Sequence, residues 1–154
     1  MVILAHPLFA EEAARLATFH SQHNDLSVIV VQPQAVYNEF SSGAQDISAI
    51  RDFMKMLWHK GGEGNKPRFM LLFGDASYDY KNRVAENTNF IPTFQAPESL
   101  HPVTSYATDD FFGCIDDNEG GFSTDIMDIG IGRLVVATPE EARMAVDKII
   151  HYAT

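Results

Sequence analysis

The order of apolar and polar positions alone suggests an alternation of strands and helices. Val2-Ile3-Leu4-Ala5 is an unbroken apolar run, the pattern of a buried strand. Residues 11–23 then place Ala13, Leu16, Ala17 and His20 at helical spacing. The β-branched run "SVIVV", residues 27–31, predicts a strand covered on both faces. The stretch "QPQAVYNEFSSGAQ" is expected to be an irregular link, with Pro33 and Gly43 as punctuation. Asp46 is placed to cap a helix over 46–60, whose Ile50, Phe53, Met54, Leu57 and Trp58 fall on one stripe. "GGEGNKP" stops that helix, and Phe69–Phe73 is the third strand.

The rhythm then breaks. Residues 74–124 hold no long periodic segment and are rich in Asp and Asn, which marks a functional excursion or a docking surface. Within it, "DDFFGCID" is expected to be a short strand with Phe111, Gly113 and Ile115 facing one way, and "DDNEGG" a solvated hairpin turn. Alternation resumes with the strand-like "DIMDIGIGRLVV". Thr138-Pro139-Glu140-Glu141 is a capping box with proline at the first helical position. The helix it opens turns Ala142, Ala145, Val146, Ile149 and Ile150 inward and reaches Tyr152. The expected fold is α/β: a doubly wound, mainly parallel sheet of about four strands with about three helices on both faces.

Charge and length narrow the picture. The chain has 154 residues, enough for one full core, and a formal net charge of −10. Such a surface repels phosphate backbones, so no nucleic-acid partner is expected. No apolar run is long enough to span a bilayer, so no direct membrane insertion is expected. "MVILAHPLFA" lacks the basic region of a signal peptide. The single cysteine, Cys114, excludes an internal disulfide and a cysteine-rich zinc site.

Ligands of doubly wound sheets bind at the carboxyl ends of the strands, where Gly74-Asp75 lies. Asp75 is therefore either a ligand-facing acid or the organiser of a turn. Asp109, Asp110, Asp116 and Asp117 crowd nine residues, with Glu119 close behind; oxygen-rich loops suit calcium, although the spacing is not that of an EF-hand. Cys114 is a thiol nucleophile if His6 or His101 reaches it, and otherwise a small buried hydrophobe in "FFGCI". "GIGRL" has only part of a phosphate-binding fingerprint. Gly130 and Gly132 read instead as room for close packing, with Arg133 free to pair with a carboxylate.

Five blocks of sequence resemble the gingipain-type cysteine peptidases, a caspase-like family: "VYNEFSSGAQDISAIRDFMKMLW", "MLLFGDASYDYKN", "NFIPTF", "SYATDDFFGCIDD" and "DIGIGRLVVATPEEARMAVDKIIHY". The "FGDASYDYKN" form is most similar to the sortase-like branch, which serves the type IX secretion system of Bacteroidetes. The resemblance implies a catalytic domain of two subdomains, with residues 1–154 forming the first. It places the catalytic His and Cys in the second, so no catalytic residue is carried over to this chain. It implies as partners the remaining half of the peptidase domain and protein substrates with C-terminal sorting signals, and as location the cell surface or outer membrane. The flank that meets the other half is expected to be apolar or prone to pairing. Calcium is the cofactor the resemblance suggests, with Asp75, Asp109 and Asp110 as metal candidates. The alternative is a noncatalytic α/β binding module that holds a divalent cation at its acidic strand ends.

Overall fold

The computed structural model describes residues 1–98, 100–120 and 125–154. Four parallel strands form the main sheet: β1 (Val2–Ala5), β2 (Ile29–Val31), β3 (Phe69–Phe73) and β6 (Gly130–Leu134), in the spatial order β2-β1-β3-β6. Leu4 sits opposite Val31 on one side and Leu72 on the other, and Phe73 is level with Leu134. Between β3 and β6 the chain leaves the sheet for a small antiparallel ribbon, β4 (Phe94–Gln95) with β5 (Ala107–Thr108).

Alternating side chains of the inner strands feed two cores. Val2, Leu4, Met70 and Leu72 point to one face, where α2 (Pro33–Phe40) and α3 (Ile47–Lys60) cover them with Val36, Ile50, Phe53 and Met54. Ile3, Ala5 and Phe73 point to the other, under α1 (Ala10–His23) and α5 (Pro139–Ala153), which contribute Ala13, Leu16, Ala142 and Val146. β1 is consequently buried at all four residues, as a strand with both faces covered must be. An ion pair from Arg15 to Asp147 joins α1 to α5.

The helix starts follow their caps. Asp46 Oδ1 accepts the Ser48 N–H at 2.8 Å. Thr138 Oγ1 accepts the Glu141 N–H, while the Glu141 carboxylate takes the Ala137 N–H at 2.7 Å. After α3, a single distorted turn, α4 (Gly62–Asn65), leads into β3; Gly64, at φ 99°, breaks the helical path.

Three expectations are corrected. β2 is an edge strand, with Ile29 41% and Val30 38% exposed, because β1 is its only strand neighbour among the described residues. The stretch read as an irregular link contains α2: Pro33 stands at its start, where a missing N–H costs nothing, and Val36 and Tyr37 are buried. Residues 110–112 form a 3-10 turn, not a strand, closed by the Gly113 N–H on the Asp110 carbonyl at 2.8 Å. That tighter path buries Phe112 and Ile115 in the α3 core, where a strand would have sent Phe111, Gly113 and Ile115 to one face. At 116–120 the chain turns, with the Glu119 N–H on the Asp116 carbonyl, and Lys55 pairs with Asp117. The closing Gly121 of the expected hairpin lies outside the described residues.

Candidate functional site

The strand order places a topological switch between β1 and β3, so the crevice beyond Ala5 and Phe73 is where a doubly wound sheet offers a site. Gly74 leads into it at φ 146°, a conformation open to glycine, and an added Cβ would lie 3.0 Å from the Phe90 Cβ. The Gly74 and Asp75 amides donate to the Leu134 and Val136 carbonyls, extending the bond between β3 and the β6 end of the chain. The Asp75 carbonyl accepts the Phe90 and Ile91 amides. Its carboxylate accepts the Ala76 N–H at 2.8 Å and the Thr88 hydroxyl at 2.6 Å. Asp75 thus organises the turn that brings residues 88–91 back to the sheet.

Arg133, next to the end of β6, projects into the same edge with a side chain only 9% exposed. All five of its donors are used. Nε and Nη2 grip the two oxygens of Asp109 at 2.7 Å each. Nη1 donates to the Gly74 and Ile91 carbonyls at 2.9 Å each, and Nη2 to the Pro92 carbonyl at 3.2 Å. One guanidinium therefore holds together the end of β3, the segment preceding β4 and the acidic loop after β5.

This bears on the three metal candidates. Asp109 and the residue preceding Asp75 meet on Arg133, but both Asp109 oxygens face a guanidinium and both Asp75 oxygens face hydrogen-bond donors. Asp110 lies elsewhere, lining a cavity of about 730 Å³ with Phe94, Tyr106, Phe111 and Cys114. Among the described residues no group of three or more His, Cys, Asp or Glu side chains is arranged to hold a metal. The arrangement does not fit a shared calcium shell, which needs six or more oxygens free to converge.

Sequence reading missed Asp79, which is 3% exposed. Its carboxylate accepts the Arg83 and Val84 amides at 2.5 and 2.7 Å and the Arg83 Nε at 3.4 Å, and its carbonyl accepts the Asn87 side chain at 2.7 Å. The Val84 amide, with help from the Arg83 amide and guanidinium, holds this acid below the usual carboxylate range despite its burial. Asn82 and Glu86, at φ 52° and 57°, complete the bends around it. The only signal for this in the sequence is an Asp followed by the turn-forming Asn82 and Asn87.

The model of peptidase family C25 matches residues 1–154, the whole chain. The chain belongs to peptidase family C25. Within that family its fold superposes on the crystal structure of dimeric latent PorU from Porphyromonas gingivalis, with a TM-score of 0.82 and 38% identity over 98% of this chain. The complex of pro- and mature domains of RgpB from the same organism shares the fold, with a TM-score of 0.69 and 21% identity over 99% of this chain. This C25 chain spans 15% of the length of the PorU chain and 28% of the RgpB chain. No curated protein matches it.

C25 is the gingipain family of cysteine peptidases, so the setting of the one thiol matters. Cys114 is 4% exposed and its Sγ donates to the Asp110 carbonyl at 3.4 Å. Burial, followed by the charges of Glu119 and Asp125, pushes the thiol pKa up, and Arg51 offsets this only in part. His101 Nδ1 accepts the Val103 and Thr104 amides. His6 Nδ1 accepts the Leu8 amide, its ring rests against Phe90, and burial lowers its pKa. Neither imidazole bonds to Cys114, so the nucleophile–base pair that thiol catalysis requires is not formed by these residues.

Proposed function

We propose that residues 1–154 are the first, noncatalytic subdomain of a gingipain-like peptidase domain in a larger protein that removes C-terminal sorting signals at the surface of a Bacteroidetes-type bacterium. The observation that carries this reading is the match to PorU at 38% identity over 98% of the chain, combined with a single thiol buried against a carbonyl. In such a protein a thiolate from outside these residues attacks the scissile carbonyl. The amine leaves with a proton, and the thioester passes its acyl group to water or to another amine. The present residues supply the carboxyl edge on which the substrate cleft is built.

The flank along β6 supports a second half packed against it. β6 pairs only with β3 among the described residues. On the α1 and α5 side, Gly130 and Gly132 floor an apolar groove of about 530 Å³ with Phe69 and Leu71. A Cβ at Gly130 would press on the Phe69 ring at 3.2 Å, but one at Gly132 would meet nothing nearer than Leu71 Cδ1 at 3.9 Å, so the close packing Gly132 permits is not supplied by the described residues. Val135, the residue after β6, is 69% exposed and adds an apolar side chain at that end of the strand.

The test is to assay the 154-residue chain, and the chain extended through the following half of its parent, on sorting-signal peptides. Turnover is expected only in the extended protein, and iodoacetamide should label Cys114 slowly. Cleavage by the short chain that disappears in Cys114→Ala would refute the proposal.

A further inference from the structure

The acidic chain carries a concentration of unneutralised positive charge at the amino edge of its sheet, opposite the edge described above. Five of its cations, Arg15, Lys55, Arg83, Arg133 and Arg143, pair with carboxylates, and Arg51 donates to two backbone carbonyls. Lys60, Lys66 and Arg68 have no carboxylate or hydrogen-bond partner among the described residues, and all three line a single open cleft of about 810 Å³. The cleft runs from the end of α3 across the turn to β3 and reaches the start of β2. Leu57, Pro67 and Ile29 give it an apolar floor, and Asp25 is the one carboxylate among its described lining residues.

The C-terminal dipole of α3 accounts for Lys60, in its last turn, but not for Lys66 and Arg68, which lie beyond it. Those two heads rest on aromatic rings: the Lys66 ammonium is 4.3 Å from the Trp58 centroid and the Arg68 guanidinium 5.6 Å from that of Phe69. They are thus held at the cleft without being neutralised. A site for a small anion converges buried donors on one point. Here the charges are exposed, spread over two elements and rim an apolar floor, the anatomy of a protein interface. β2, an edge strand with Ile29 and Val30 exposed, borders the same cleft.

We propose that this cleft docks an extended acidic polypeptide segment of a partner, its carboxylates at Lys60, Lys66 and Arg68 and one apolar side chain on Leu57 and Pro67. The proposal does not rest on the peptidase reading: the cleft lies at the opposite edge of the sheet from the switch crevice, and it meets the groove along β6 at Met1 and Leu26.

Trp58 is the only tryptophan of the chain and carries the Lys66 ammonium over its ring, so its fluorescence reports a ligand that engages Lys66. The 154-residue chain would be titrated with a dodecapeptide of Asp and Glu around a central Leu, with fluorescence and the anisotropy of a labelled peptide read together. Saturable binding is expected. It should weaken on the order of tenfold between about 20 and 200 mM salt, and by a similar factor in Lys66→Gln/Arg68→Gln, whose exposed positions leave the fold intact. Equal binding of the Asn and Gln version of the peptide, or unchanged binding by the double variant, would overturn the proposal. Displacement of the peptide by pyrophosphate at equal or lower concentration would make this a small-anion site instead. Salt-sensitive self-association of the chain without peptide would make a second copy the occupant, and would equally overturn it.

Discussion

Arg133 has five donors and five acceptors, and every acceptor but those of Asp109 is a main-chain carbonyl. Its removal therefore leaves several buried acceptors unmet at once. Arg133→Ala is expected to lower stability by about 3–5 kcal/mol in urea denaturation, as the loss of one partner of a buried pair does. Arg133→Lys should recover little of this, since an ammonium cannot reproduce the planar fork. The sequence pointed to Arg133 as a partner for some carboxylate; that it also takes three carbonyls depends on where Gly74, Ile91 and Pro92 meet in space, which no local pattern encodes. Asp79 makes a second prediction at this scale. Its folded pKa lies below the unfolded value, so its contribution is complete above the ordinary Asp range and is lost as pH falls through the depressed folded value. In Asp79→Asn the acid-side fall in melting temperature should be shallower than in the parent, measured from pH 7 down to pH 3. An identical pH profile in the two proteins would show that the carboxylate charge is not what holds the 79–87 loop.

Elements were legible where a periodic face met a deep core. α3 shows this best: Asp46 caps it as its position suggested, and Ile50, Phe53 and Met54 are buried as their spacing required. Met54→Ala should cost about 2–5 kcal/mol, read from the urea midpoint, because it empties space against β1 and β3 that the sheet cannot close. Met54→Leu should cost under about 1.5 kcal/mol, being close in volume. The less legible elements share a cause. β2 reads as doubly covered because its β-branched residues suit any strand, and the pattern does not say which strand lies at an edge. α2 is short, and its Pro33 serves a helix start as well as a loop. In "DDFFGC" the 3-10 turn competes with a strand of the same residues, and is favoured because Thr108 Oγ1 and the Asp110 carbonyl capture the Asp110 and Gly113 amides.

For the molecule as a whole, β-α alternation was enough to give a parallel sheet, and both helices expected to cover it do so, on opposite faces. Asp75 directly follows β3, at the carboxyl edge of the sheet, and the Asp75 and Asp109 carboxylates are occupied from within the chain. At millimolar calcium the melting temperature is accordingly expected to stay unchanged, since a ligand raises it only by binding the folded state. A rise abolished by Asp75→Asn would instead place a cation at that turn.

The strand order also dictates a timetable on the ribosome. The sheet grows outward from β1, the earliest strand made: β2 emerges next and pairs on one side, and β3 then pairs on the other. β6 follows roughly 60 residues behind β3, several seconds at ordinary elongation rates, during which the β3 margin is bare. When β6 arrives it closes that margin and becomes the new one, while β2 stays at the opposite margin throughout. A nascent chain halted before β6 leaves the exit tunnel should already protect the amides of β1, yet be captured by chaperones through β3.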